Sequence, residues 1–235
     1  MANFPKGVSS RVGVFRSGYA LVSDHRHEFI EYAMACDVLR FGSFTLKSGR
    51  KSPYFFNSGL FNTGESLNRL GSFYASTYIE CGISADLLYG PAYKGIPLAC
   101  SAAMSLAART GKPMQYAFNR KEAKDHGEGG GIVGAPLAGD VLIIDDVITA
   151  GTSVRESVEV IRSAGARPAG VLILLDRQEK GSSGLSATQE VTNEYGIPVY
   201  PVISLGDIVE FFRQSGATRE LKAIANYQEA YGISL

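Results

Sequence analysis

Short, uninterrupted apolar runs, each ending at polar or glycine residues, constrain this sequence more than any other feature. Residues 86–89 (DLLY) lead into Gly90-Pro91, and 113–118 (PMQYAF) into Asn119. Residues 141–144 (VLII) lead into Asp145-Asp146, 170–175 (GVLILL) into Asp176, and 199–203 form a fifth run. Runs of this length without polar alternation suit strands buried on both faces, as in a parallel sheet. Between them lie helical patterns. Residues 66–81 carry Leu67, Leu70, Phe73, Tyr74 and Tyr78 at helical spacing, and 95–110 are alanine-rich. Residues 152–164 place Val154, Val158 and Ile161 on one face, with Gly165 as a stop, and 205–214 and 218–231 close the chain. Strands alternating with helices predict an α/β fold with a mostly parallel central sheet flanked by helices. At 235 residues, 45% of them hydrophobic, the chain has enough apolar side chains for one large core with a small appendage.

Charge and cysteine usage exclude several classes. The formal net charge is zero, so no general electrostatic pull draws the chain to nucleic acid or to an anionic membrane. Substrates must be attracted by local charge. No apolar run is long enough for a membrane span. Cys36, Cys81 and Cys100 are odd in number, widely spaced and without a CxxC pair, which argues against a disulfide framework or a structural zinc and predicts buried, reduced thiols in a cytoplasmic protein. Residues 1–23 lack a continuous apolar segment and read as an N-terminal extension rather than a signal peptide. His25 and His27 show no partner pattern and are expected at the surface.

Residues 141–153, VLIIDDVITAGTS, carry the chemistry. An apolar strand delivers Asp145 and Asp146 to its carboxyl end, where ligands bind in open α/β sheets. Val147, Ile148, Thr149, Ala150, Gly151, Thr152 and Ser153 then lead into a helix. Small residues let backbone N–H groups turn inward, the hydroxyls of Thr149, Thr152 and Ser153 add donors, and the helix presents its positive end. That is a cradle for a phosphate monoester. Carboxylates cannot bind phosphate; they suit sugar hydroxyls, or a hydrated Mg²⁺, beside it. The segment therefore reads as a site for a ribose 5-phosphate. It is not a P-loop, since no G-x-x-x-x-G-K-[ST] is present.

Two segments read differently. Residues 45–60 contain Lys47-Ser48-Gly49-Arg50 and then Tyr54-Phe55-Phe56-Asn57, which suggests a small hairpin outside the main sheet. Residues 119–132 combine Arg120, Lys121, Lys124 and His126 with the glycines of 127–131, which predicts a mobile cationic loop.

The string 141–153 resembles the signature by which type I phosphoribosyltransferases bind 5-phosphoribosyl-1-pyrophosphate (PRPP). With TLKSGRKSPYFF (45–56), GPAYKG (90–95), NRKEAKDHG (119–127) and LLDR (174–177), in that order, the chain is similar to the orotate phosphoribosyltransferase family over roughly residues 24–235. The resemblance implies one phosphoribosyltransferase domain: a hood over about 24–65, a core over about 66–205 and C-terminal helices over about 205–235. It places Lys47, Tyr93 and Lys94 beside PRPP or its pyrophosphate. It sets Phe55 and Phe56 against orotate, brings Thr149 near both ligands, and gives Arg177 the orotate carboxylate, which a guanidinium can grip with two hydrogen bonds. The loop bearing Arg120, Lys121, Lys124 and His126 reaches into the partner subunit's site. Hence a homodimer with shared sites is expected, with Lys124, Asp145 and Asp146 carrying catalysis and Mg²⁺ entering mainly with PRPP.

The implied reaction transfers the 5-phosphoribosyl group from PRPP to N1 of orotate, giving orotidine 5′-monophosphate and pyrophosphate, in pyrimidine biosynthesis. Two other readings share residues 141–153. A phosphoribosyltransferase for another nucleobase lacks a use for Lys47, Phe55, Phe56 and Arg177. A PRPP-sensing regulator would bind nucleic acid, and the balanced charge and absence of a helix-turn-helix appendage weigh against it.

Overall fold

The computed structural model describes residues 24–46, 48–121, 131–149 and 151–233. The expected extension over 1–23, Lys47, Lys124 and His126 with the rest of 122–130, and Ala150 lie outside the described residues. Within them, six strands form the main sheet: β3 (Leu87–Gly90), β4 (Gln115–Asn119), β5 (Ile132–Gly134), β6 (Asp140–Ile144), β7 (Arg167–Asp176) and β8 (Val199–Ser204). Their order is β5-β4-β3-β6-β7-β8, parallel except for the β4–β5 pair at one edge.

Alternation along the continuous apolar strands divides the core between two faces. Leu142, Ile144, Leu172 and Leu174 pack with α2 (Gly64–Glu80), α3 (Gly95–Thr110) and α6 (Leu205–Ser215). Val141, Ile143, Val171 and Ile173 face the opposite way, against α4 (Thr152–Ser163) and α5 (Ala187–Tyr195). Both faces are covered, which is why these strands read as solid apolar runs. Three helices start at reciprocal caps: Thr63 and Ser66 bond each other's backbone N–H groups at α2, as do Ser186 and Gln189 at α5 and Ser204 and Asp207 at α6.

A two-stranded antiparallel sheet, β1 (Leu39–Thr45) and β2 (Lys51–Phe56), stands apart from the main sheet. With α1 (Asp24–Ala35) and α7 (Thr218–Tyr231) it forms the hood side of the molecule. The expected hairpin is present, and its strands begin six residues earlier than the pattern at 45–60 suggested.

Three expectations require correction. His25 and His27 are not surface residues. His25 pairs with Glu80 at 3.0 Å and contacts the Thr77 hydroxyl, and burial lowers its pKa. The His27 ring packs 4.8 Å from that of Phe211. Both sit on α1, a helix whose apolar spacing is too weak to have been read from sequence. The cysteines are free as expected but not buried: Cys36 and Cys100 are half-buried, and Cys81 is exposed because it caps the solvent end of α2. The loop expected over 119–132 is narrower at its base, since Asn119 pairs with Ile132 and the Arg120 N–H donates to the Gly131 carbonyl at 2.7 Å.

Candidate active site

Strand order locates the site before any side chain is considered. After β3 the chain moves to β4 on one side, then returns to β6 on the other. The carboxyl ends of β3 and β6 therefore splay their loops apart, leaving a crevice at the topological switch point. The loop after β3 is Gly90–Gly95 and the loop after β6 is 145–151, the two segments singled out in the sequence.

The first loop is tight because Gly90 and Gly95 lie against each other. A Cβ on Gly90 would fall 2.1 Å from the Gly95 carbonyl oxygen, and one on Gly95 would fall 2.6 Å from Pro91 Cδ. Only glycines permit this approach. The Ala92–Tyr93 peptide is cis. Asn119 Oδ1, from the end of β4, accepts the Ala92 N–H at 2.8 Å. Tyr93 is 65% exposed, and Lys121 Nζ sits 5.1 Å from its ring centre, so two of the expected pyrophosphate-side residues meet. Lys94 crosses the crevice to Asp146 Oδ2 at 2.9 Å.

The two adjacent carboxylates have different surroundings. Asp145 is 7% exposed. Its Oδ1 accepts the Asp146 N–H at 2.9 Å, its Oδ2 accepts the Ser153 hydroxyl at 2.8 Å, and its backbone carbonyl accepts the buried Tyr74 hydroxyl at 2.7 Å. Burial, reinforced by the neighbouring Asp146 carboxylate, pushes its pKa up to about 6. Asp146 opens toward the crevice. Its Oδ1 accepts the Val147 N–H at 2.9 Å, and its Oδ2 takes Lys94 and the Ser58 hydroxyl.

The expected phosphate cradle includes Gly151, the N-cap of α4, at φ +70°. No side chain caps this helix, so its first N–H groups remain available to an anion. Thr149 and Thr152 are exposed beside it. Three residues play other parts than the sequence suggested. The Ser153 hydroxyl is committed to Asp145, leaving its backbone to the cradle. Val147 packs into the α2–α3 side of the core and Ile148 into the α4 side, so both side chains are taken up in packing.

On the hood, strand alternation separates the two phenylalanines. Phe55 stacks on Phe44 with ring centres 5.6 Å apart, under the Arg40 guanidinium, whereas Phe56 faces the core with Tyr54. The structure does not bring their rings to one face. Arg177, at the end of β7, lies 4.4 Å from the Tyr54 ring centre; its Nε donates to Glu179 Oε1 at 2.8 Å, and its Nη2 lies 2.6 Å from the same oxygen.

Sequence reading missed Ser58, Tyr74, Asn119 and Glu179. Ser58 follows the aromatic pair within FNSGL, a turn held by the Asn57 side chain; nothing local marks it, because its partner is 88 residues away. We expect Ser58→Ala to raise KM for PRPP about 10-fold, the usual loss when a charged acceptor gives up a buried donor. Unaltered PRPP kinetics would show that Lys94 and Val147 alone hold Asp146.

This crevice, with a phosphate cradle, paired carboxylates and a cationic opposite wall, defines a phosphoribosyltransferase, and residues 60–192 match the Phosphoribosyl transferase domain family. Within that class the chain belongs to the orotate phosphoribosyltransferase family. It is 62% identical to the orotate phosphoribosyltransferase of Methylococcus capsulatus over 210 residues, covering 89% of this chain and 99% of that protein. Identity to the Vibrio parahaemolyticus enzyme of the same name is 55%, with the same coverage. The crystal structure of orotate phosphoribosyltransferase from Francisella tularensis superposes with a TM-score of 0.80 at 43% identity, covering 87% of this chain and 99% of that one.

Proposed function

We infer that this chain transfers the 5-phosphoribosyl group of PRPP to N1 of orotate, forming orotidine 5′-monophosphate and releasing pyrophosphate in pyrimidine nucleotide biosynthesis. The observation that carries the reading is the Asp145-Asp146 pair at the switch point, beside an uncapped helix start and opposite Lys94. The ribose 5-phosphate is held by the backbone of 149–153, and the ribose hydroxyls donate to the two carboxylates. The diphosphate then lies toward Tyr93, Lys94, Arg120 and Lys121. Its C1–O bond breaks ahead of attack by N1, leaving a cationic ribose beside two carboxylates. No covalent nucleophile is needed; positioning and electrostatics suffice.

Two carboxylates side by side fit a magnesium ion that arrives with the diphosphate, and no third acidic, histidine or cysteine side chain joins them among the described residues. Asp145 and Asp146 are the residues that would stand beside it, and the ion's contribution is neutralisation of diphosphate charge. Lys124 and His126 complete the cationic lid in this reading, and the lid acts across a homodimer interface. Lys47 adds a further cation from the hood. Arg177 reads the orotate carboxylate, with one of Phe55 and Phe56 against the pyrimidine face. Among the described residues no helix is long and apolar enough to cross a membrane, and we place the enzyme in the cytoplasm.

The test is the ultraviolet loss of orotate on mixing protein, PRPP and Mg²⁺, with uracil, adenine and hypoxanthine as competing acceptors. Turnover of orotate alone is expected. Turnover of another base instead would keep the PRPP site and overturn the acceptor.

A further inference from the structure

The Arg177 guanidinium is not free to meet a ligand from any direction. It is 16% exposed, and one of its edges, Nε with Nη2, is taken by Glu179 Oε1. A guanidinium offers two edges that can grip a carboxylate, so only the Nη1–Nη2 edge remains. Glu179 is itself held from several sides. Tyr54, from β2, donates its hydroxyl to Oε1 at 3.3 Å. Arg50, from the hood turn, approaches Oε2 at 3.7 Å, donates to the Lys180 carbonyl at 3.0 Å and lies 4.9 Å from the Tyr231 ring centre. The Tyr227 phenol of α7 faces the same pair, and its pKa is raised by burial and by the Glu179 carboxylate. The Glu179 backbone also bridges to Gly232. One carboxylate, 14% exposed, thus ties together the hood hairpin, the segment after β7 and the C-terminal helix.

The two arginines and one glutamate leave a net charge of +1, which suits a monoanionic acceptor. With Glu179 neutralised the cluster would carry +2, but the edge of Arg177 would no longer be fixed. Arg177 would then be free to rotate toward Tyr54 or Ser52, whose hydroxyl already lies 3.5 Å from Nη2.

We propose that Glu179 is a positioning residue for acceptor recognition: it occupies one edge of Arg177 so that the other edge, fixed relative to the hood, meets the carboxylate of the pyrimidine acceptor. This rests on the reading of Arg177 as the orotate-carboxylate contact.

The test is a double-mutant cycle with Glu179→Gln and Arg177→Ala, each read as KM for orotate at saturating PRPP and KM for PRPP at saturating orotate. Glutamine keeps the volume and an acceptor oxygen, so the fold is preserved, and a melting curve checks this. E179Q is expected to raise KM for orotate about 10-fold while KM for PRPP stays within about 2-fold, and to have no further effect on orotate in the R177A background. Equal changes in both KM values, or an undiminished effect of E179Q in R177A, would overturn the proposal and leave Glu179 as general scaffolding. An unchanged KM for orotate in R177A itself would overturn the acceptor role of Arg177, and the Glu179 proposal with it.

Discussion

Asp145→Asn is expected to lower kcat/KM for PRPP roughly 100-fold and, at the same time, to raise the melting temperature at pH 8. The loss of activity follows from the proposed role of the carboxylate as acceptor for ribose hydroxyls and as negative charge beside the developing cation. The gain in stability follows from the cost of keeping that carboxylate ionised where it sits. Its pKa rises from 3.8 to about 6, chiefly through burial and then through Asp146. A carboxyl whose folded pKa lies above its unfolded value holds its proton more tightly in the folded state. The cost is therefore absent below about pH 4, grows as pH rises toward 6, and is complete above it. About two pKa units correspond to about 3 kcal/mol, and loss of one of the two hydrogen bonds accepted by the carboxylate offsets about 1 kcal/mol of this. The remaining 2 kcal/mol or so shifts the melting temperature of a chain this size by about 4–8 °C. Calorimetry at pH 4 and pH 8 checks it: the variant should melt slightly below the parent at pH 4, where only the lost hydrogen bond counts, and above it at pH 8. An equal difference at both values would show that Asp145 does not titrate in this range.

The arrangement is an example of a site whose chemistry opposes its fold. Asp145 is buried because β6 must end inside a sheet covered on both faces, and that same burial places it at the switch point. The Tyr74 hydroxyl and the Leu172 carbonyl hold its backbone, while Ser153 holds its side chain. The cost is electrostatic: burial and the neighbouring Asp146 carboxylate disfavour the ionised form of Asp145.

What the sequence made legible follows from the range over which each cause acts. Strands buried on both faces declare themselves locally, because every position is apolar; 141–144 and 170–175 could be read on sight. So could 141–153, where strand, carboxylates and helix start are consecutive. The antiparallel edge strand 132–134 and helix α1 could not, since the first is three residues long and the second has no strong apolar stripe. Side-chain roles set by distant partners were hidden for the same reason. Ser58 matters through Asp146, and Tyr74 through Asp145. Ser153 looked like a phosphate donor because its hydroxyl is adjacent to the cradle, yet the nearer acceptor is a carboxylate eight positions back. For Phe55 and Phe56, the two-residue period of a strand decides: adjacent residues point to opposite faces, and a pair cannot form one wall.

Lys124→Ala is expected to lower kcat roughly 100- to 1,000-fold, with KM for PRPP changed only a few-fold. The diphosphate already carries about three negative charges in PRPP and gains about one more as the C1–O bond breaks, so a cation that meets it only in the closed state acts on kcat. The geometry at the base of the loop supports this placement. The strand ladder closes at Asn119–Ile132 and at the Arg120–Gly131 hydrogen bond, so the segment leaves and re-enters at one point beside the crevice. Lys121 already sits over Tyr93, where the proposed reading puts the pyrophosphate. If the lid acts across a dimer, the damage from Lys124→Ala and Asp145→Asn lies on different subunits of a mixed dimer. One of its two sites then combines an intact lid with an intact carboxylate pair. Mixing the two inactive variants under exchange conditions should restore roughly a quarter of parental activity, since half the dimers are mixed and each has one whole site. No recovery, with exchange verified by native mass spectrometry, would mean that each lid serves its own subunit. An unchanged kcat for Lys124→Ala would remove the lid lysine from catalysis and leave Arg120, Lys121 and Lys94 as the groups that receive the diphosphate.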